Sequence, residues 1–185
     1  LFERHGVRAT FFTLGWIAER YPKMIRRVVD AGHELASHGY EHRRATEQGY
    51  GAFLADVRLA KAVLEDIAGA PVRGYRAPSF SIGAHNRWAF ECIADAGHRY
   101  SSSMYPIRHD HYGVPGGERF AHEVHAGLIE VPIATVRFLR STWPAGGGGY
   151  FRLLPYGISR WSLRRINAAE GQPAMFYFHP WELDP

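Results

Sequence analysis

Short apolar runs alternate with longer amphipathic ones along the first hundred residues of the chain. Ala9–Leu14 is a compact apolar run rich in Phe and Thr and predicts a buried strand. A helical pattern follows over 19–31, with Pro22 suited to its first turn and Met24, Ile25, Val28 and Val29 on its apolar face. Glu34–Ser37 reads as a short strand. Residues 51–68 form the next helical pattern, with Phe53, Leu54, Val57, Leu64 and Ile67 inward. Residues 72–76 then predict a strand, 86–96 a helix capped by Asn86, and 99–102 a strand. Three helix ends share one design, Asp30-Ala31-Gly32, Ile67-Ala68-Gly69 and Asp95-Ala96-Gly97, each shortly before a strand. A glycine stop there supplies the left-handed residue that ends a helix.

A strand–helix unit used repeatedly predicts a parallel sheet with crossover helices. After Ser103 the regularity lapses. Residues 104–120 read as a long loop, and 123–131 as a hairpin turning at Ala126-Gly127, with Ile129, Val131 and Ile133 as strand residues. Residues 144–149 read as flexible, 155–169 as a helix and 174–178 as a last strand. The expected fold class is α/β, a distorted (β/α) barrel with fewer than eight strands, since a full eight-fold barrel takes about 250 residues. An open doubly wound sheet is the alternative. The length predicts one domain over residues 1–185.

Composition narrows the partners. No apolar run approaches the roughly 20 residues of a membrane helix, so no integral membrane segment is expected. The net charge of +4 comes from arginines spread along the chain, with no basic stripe interleaved with aromatics; nucleic acid is not an expected partner. Cys92 is the only cysteine, which excludes an internal disulfide and a thiolate zinc cluster. It sits on an apolar helical face and reads as a core residue. The four glycines at 146–149 lack the Lys-Ser/Thr of a phosphate-binding loop, and no Gly-x-Gly-x-x-Gly is present.

Three segments carry candidate chemistry. In Ser37-His38-Gly39-Tyr40-Glu41-His42, two imidazoles four residues apart follow a predicted strand and are a candidate metal pair, with a surface or hydrogen-bonded pair as the alternative. In Arg76-Ala77-Pro78-Ser79-Phe80, the arginine follows another strand; its fork suits a carboxylate, while Pro78 stiffens the loop. In Phe176 to Glu182, an apolar run delivers His179. His38, Arg76, Ser101 and His179 each fall at or just beyond the C-terminal end of a predicted strand, the end where functional groups collect in parallel β/α folds. Trp143, Tyr150, Phe151, Tyr105 and Trp181 are candidates for stacking on sugars or, alternatively, core and loop anchors. The loop with His109 and His111 is expected to border the groove.

Taken in order, these segments resemble the polysaccharide deacetylases (the NodB-homology domain, carbohydrate esterase family 4). Within that family the chain is most similar to the exosortase-associated deacetylases of bacterial exopolysaccharide loci. The resemblance rests on Thr10-Phe11-Phe12, Ser37–His42, Arg76–Phe80, Tyr100–Pro106 and Phe178–Glu182. It implies a divalent metal, usually zinc, held by His38 and His42, with Arg76 orienting a catalytic carboxylate and His179 as general acid. Pro78, Phe80, Tyr105 and Trp181 are the substrate-binding candidates, and the implied partner is a polysaccharide or oligosaccharide. The family's aspartate-rich first strand, which carries the base and third ligand, is expected upstream of Leu1. On that expectation the chain is truncated at its N-terminus and also at its C-terminus, binds metal weakly and lacks activity as it stands. Ser101 stands where relatives commonly carry an aspartate that holds the arginine, and Glu182 or another acid is a candidate substitute. A small-molecule amidase on the same scaffold and a non-catalytic carbohydrate-binding relative are the competing functions.

Overall fold

A computed structural model describes residues 2–109, 112–139 and 141–183. Leu1, the loop residue His111 and the C-terminal Asp184 and Pro185 lie outside the described residues. The chain divides into two compact units: residues 1–103 with 123–130, and residues 104–122 with 131–185.

The first unit is built from the predicted repetition. After a short helix α1 (Phe2–His5) come β1 (Thr10–Thr13), α2 (Gly15–Arg20), α3 (Pro22–Asp30), β2 (Glu34–Ser37), α4 (Tyr50–Ala68), β3 (Gly74–Tyr75), α5 (Trp88–Asp95) and β4 (Tyr100–Ser101). The hairpin strands β5 (His122–His125) and β6 (Leu128–Glu130) complete a six-stranded sheet in the order β1-β2-β3-β4-β6-β5. The pairs β1–β2, β2–β3, β3–β4 and β4–β6 are all parallel. This is the mixed α/β fold with a parallel sheet that the strand–helix repetition predicts.

Packing explains the longest helix. Phe53, Val57, Ala60 and Leu64 of α4 recur at spacings of four, three and four and are all fully buried. Leu64 joins Ala18, Ile25, Leu35 and Val72 in one apolar cluster, drawing on α2, α3, β2 and the approach to β3. Gly32, Gly69 and Gly97 all take the left-handed conformation expected of helix stops.

Several details depart from expectation. The predicted helix over 19–31 is two helices, broken at Tyr21, where Pro22 cannot continue the α2 hydrogen-bond ladder and instead opens α3. Met24 lies on the solvent side of α3, so only Ile25 of its apolar set is fully buried. Asn86 does not cap α5. Its side chain closes the preceding loop, accepting from the Gly83 N–H and donating to the Ser81 carbonyl.

The second unit contains the antiparallel hairpin β7 (Thr135–Phe138) and β8 (Ser141–Pro144), then α6 (Gly148–Leu153) and α7 (Tyr156–Arg164), which runs into a π-turn over Arg165–Ala169. Ala134, Val136, Ala145 and Ile166 form its core, with Phe120 and Ala174 against them. Residues 174–178 are extended but form no strand; Met175 and Tyr177 offer their carbonyls to the Ala134 and Gly148 N–H groups. The glycine run is not a flexible linker. A Cβ on Gly146 would lie 2.2 Å from the Met175 carbonyl oxygen, and Gly148 already opens α6. Glycine is required there by close backbone approach, a feature that composition reads as flexibility.

Candidate active site

The parallel register brings three residues of the first unit to one edge. Each strand's ladder continues one residue past its C-terminal end. The His38 N–H donates to the Thr13 carbonyl, the Arg76 N–H to Ser37 and the Ser102 N–H to Tyr75, each at 2.9 Å. His38, Arg76 and Ser102 therefore follow β2, β3 and β4 in register, at the C-terminal edge where such folds place their chemistry.

His38 is half-buried and its Nδ1 lies 2.7 Å from the Arg76 carbonyl oxygen. A carbonyl only accepts, so Nδ1 carries the proton of this bond. The His42 ring lies 5.0 Å from that of His38 between centroids, at an interplanar angle of 68°. Proximity and a fixed tautomer are what a metal-binding pair needs, and a backbone carbonyl on the distal nitrogen is the usual outer support of a ligating imidazole. The pair fits two positions of a zinc-type site. Among the described residues, no group of three or more His, Cys, Asp or Glu side chains is arranged to hold a metal ion.

Arg76 is buried, at 7% exposure. Its guanidinium donates from Nε to the Ser102 carbonyl at 2.9 Å and from Nη2 to the Ser102 hydroxyl at 2.7 Å. It also lies over the Phe12 ring at 4.1 Å and near that of Phe80 at 5.6 Å. Ser101, in the position discussed for an aspartate, donates its hydroxyl to that of Ser103. The acid on this edge is Glu130, fully buried at the end of β6 and in register with Ser101; its Oε1 accepts the Ser103 N–H at 2.8 Å. Arg76 and Glu130 thus grip the two ends of a single peptide unit. Glu130 thus brings an acid to this edge from the next strand of the sheet, a placement that sequence spacing alone does not show.

Backbone strain collects in the same loops. Of the five described non-glycine residues with positive φ, His42, Ser79 and Phe80 follow β2 and β3. Such conformations persist only where surroundings impose them, and functional loops are a common setting. Pro78 is buried and Phe80 half-buried. Beneath the histidine loop, Asp56 of α4 is partly buried, and burial is the leading influence that raises its carboxyl above the ordinary range. Nothing in the sequence separates Asp56 from the other acids of α4.

In the second unit, Glu182 holds His179. Glu182 Oε2 accepts the His179 N–H at 2.7 Å and lies 3.3 Å from Nδ1, while the Trp181 ring stacks on the imidazole at 4.2 Å. Trp181 is exposed. Tyr105 is fully buried, and its hydroxyl donates to the Gly146 carbonyl at 2.7 Å, so its ring anchors the glycine run. Glu182 is therefore committed to its own histidine. His109 stacks on Tyr112 at 3.9 Å. Among the described residues, no helix is long and apolar enough to cross a membrane.

Known families match the chain in two parts. Residues 1–101 match the family described as Polysaccharide deacetylase, and residues 102–185 match a Domain of unknown function (DUF3473). A peptidoglycan-N-acetylglucosamine deacetylase of Bacillus cereus is 29% identical over 90 residues, covering 48% of this chain and 33% of that protein. A peptidoglycan deacetylase of Helicobacter pylori is 34% identical over 108 residues, covering 56% of this chain and 34% of that protein. The chain thus spans about a third of the length of these curated relatives. A crystal structure from Mycobacterium smegmatis, assigned as a polysaccharide deacetylase, superposes with a TM-score of 0.66 at 23% identity, over 97% of this chain and 61% of that one. A family 4 carbohydrate esterase from Streptomyces lividans, solved in complex with acetate, matches with a TM-score of 0.50 at 25% identity, over 54% of this chain and 50% of that one.

Proposed function

The chain belongs to the polysaccharide deacetylase family, and from that premise we propose that it serves a metal-dependent hydrolase removing acetyl groups from N-acetylated sugars of a polysaccharide. The bond cleaved is the carbon–nitrogen bond of an acetamide. The observation that carries this reading is His38, held as the Nδ1–H tautomer by the Arg76 carbonyl with His42 beside it, at the C-terminal edge of a parallel sheet. The relatives named above act on peptidoglycan, which supports an N-acetylhexosamine polymer as the substrate class. The motif order of Arg76–Phe80 and Tyr100–Pro106 supports the exosortase-associated subgroup and a place in exopolysaccharide metabolism.

When bound by His38 and His42, a divalent ion, zinc by the resemblance, supplies Lewis acidity toward the acetamide. The residues of the chain do the rest. Arg76 stiffens the strand ends, through its bonds to Ser102, and presents positive charge to a carboxylate. His179 is the proton donor to the leaving amine, its ring set by Glu182 and Trp181. Pro78, Phe80 and Trp181 contribute to sugar binding, with Trp181 offering an exposed aromatic surface.

The test is acetate release by the full-length protein from chitooligosaccharides, peptidoglycan fragments and the host exopolysaccharide. Release from one of these, abolished by a chelator and restored by zinc, is the expected result. In that setting His179→Ala lowers kcat by about 10²- to 10⁴-fold. Absence of acetate from every glycan, with metal bound, overturns the reading.

A further inference from the structure

The segment that carries the two histidines is clamped on both sides of its backbone. On one side, the Gly39 and Tyr40 carbonyls accept the Gly15 and Trp16 N–H groups at the start of α2, at 3.0 and 3.4 Å. On the other, Asp56 reaches up from α4, and its Oδ2 accepts the Tyr40 N–H at 3.2 Å. Tyr40 and Glu41 lie between His38 and His42, so Asp56 grips the centre of the pair's own connection.

Gly39 shows how close this approach is. Its φ is +77°, and a Cβ there would stand 2.8 Å from Asp56 Oδ2 and 3.8 Å from the Tyr75 hydroxyl. A side chain at position 39 would thus both strain the backbone and push the carboxylate away. His42 at the far end holds a φ of 62°, a conformation that a non-glycine residue keeps only under outside constraint. The bond from the Tyr40 amide to Asp56 supplies such a constraint.

We infer that Asp56 is a positioning residue for the His38–His42 pair, fixing the separation and direction of the two imidazoles through the Tyr40 amide. The inference rests on the functional reading above in taking the pair as metal ligands. Two imidazoles on a slack loop must be ordered at the moment of binding, whereas two held in place bind without that cost. Outer supports of this kind are worth about 10- to 100-fold in metal affinity.

The experiment uses the full-length protein with zinc as the probe. Asp56→Ala lowers zinc affinity by about 10- to 100-fold in calorimetric competition with a chelator. Asp56→Asn, which keeps one acceptor oxygen, falls between that variant and the wild type. Hydrogen exchange without metal reads the clamp directly: the Tyr40 amide exchanges faster in Asp56→Ala, while the amides of β1 and β2 do not. A purely structural role predicts a lower melting temperature with zinc affinity unchanged, and that result overturns the inference. Unchanged protection at Tyr40 also overturns it. Failure of the wild type to take up zinc refutes the metal reading instead, and the exchange measurement then still decides whether Asp56 holds the loop.

Discussion

The first unit holds its polar residues through backbone ladders, and the second through single side-chain anchors. In the first, His38, Arg76 and Ser102 extend three parallel strands by one hydrogen bond each, and the guanidinium, the imidazole and Glu130 bind backbone groups of neighbouring strands. In the second, a buried arginine ties distant segments. Arg119 pairs with Glu170 at 2.6 and 3.1 Å and bonds both the hydroxyl and the carbonyl of Thr135. Tyr105 anchors the glycine run in a similar manner. A repeated strand–helix unit distributes its restraints, so each one is small. A unit with one two-stranded sheet concentrates them.

That contrast predicts unequal costs. The largest belongs to Arg119→Met, which leaves Glu170 without its buried partner. Breaking such a pair costs about 3 to 5 kcal/mol, measurable as a drop in denaturation midpoint. A loss below about 1 kcal/mol would show that the second unit is not held by this anchor.

Next in size is a pH effect in the first unit. Burial, with the nearby Lys61 ammonium, pushes His98 down to about 4 from 6.5. Between those values the unfolded chain binds a proton that the folded chain refuses. Stability is therefore complete above about pH 6.5 and falls as the pH drops toward 4, by roughly 3 kcal/mol in all. His98→Phe removes most of that slope. An unchanged pH profile in this variant would place the acid sensitivity elsewhere.

The smallest effect belongs to Tyr75→Phe. The Tyr75 hydroxyl is buried and makes no hydrogen bond within the described residues, so its loss changes stability by about 0.5 kcal/mol or less, or raises it. A loss above about 1.5 kcal/mol would mean that the hydroxyl has a partner, with the Asp56 carboxylate the nearest candidate on the Gly39 side.

The residues that were legible in the sequence share a cause. His38 and Arg76 follow predicted strands, and a parallel sheet places successive strand ends together, so local pattern plus topology located them. Glu130 and Asp56 were not legible, for different reasons. Glu130 reaches the same edge only because β6 pairs with β4, a long-range pairing that the local pattern does not state. Asp56 lies on a helix that crosses beneath the loop, and its partner is a backbone amide, which has no signature in sequence.

By itself, the sequence determined the alternating elements, their glycine stops and the strand ends that carry the histidine pair and the arginine. These follow from local periodicity and from the conformations that glycine and proline permit or forbid. Only the tertiary structure decided why Gly146 sits in a packed segment, which acid stands beside Ser101, and what holds the histidine loop. Each of those depends on two distant backbones approaching within a few ångströms, as when Gly146 lies against the Met175 carbonyl or Asp56 against the Tyr40 amide. Sequence spacing encodes which residues share a face. It does not encode which faces meet.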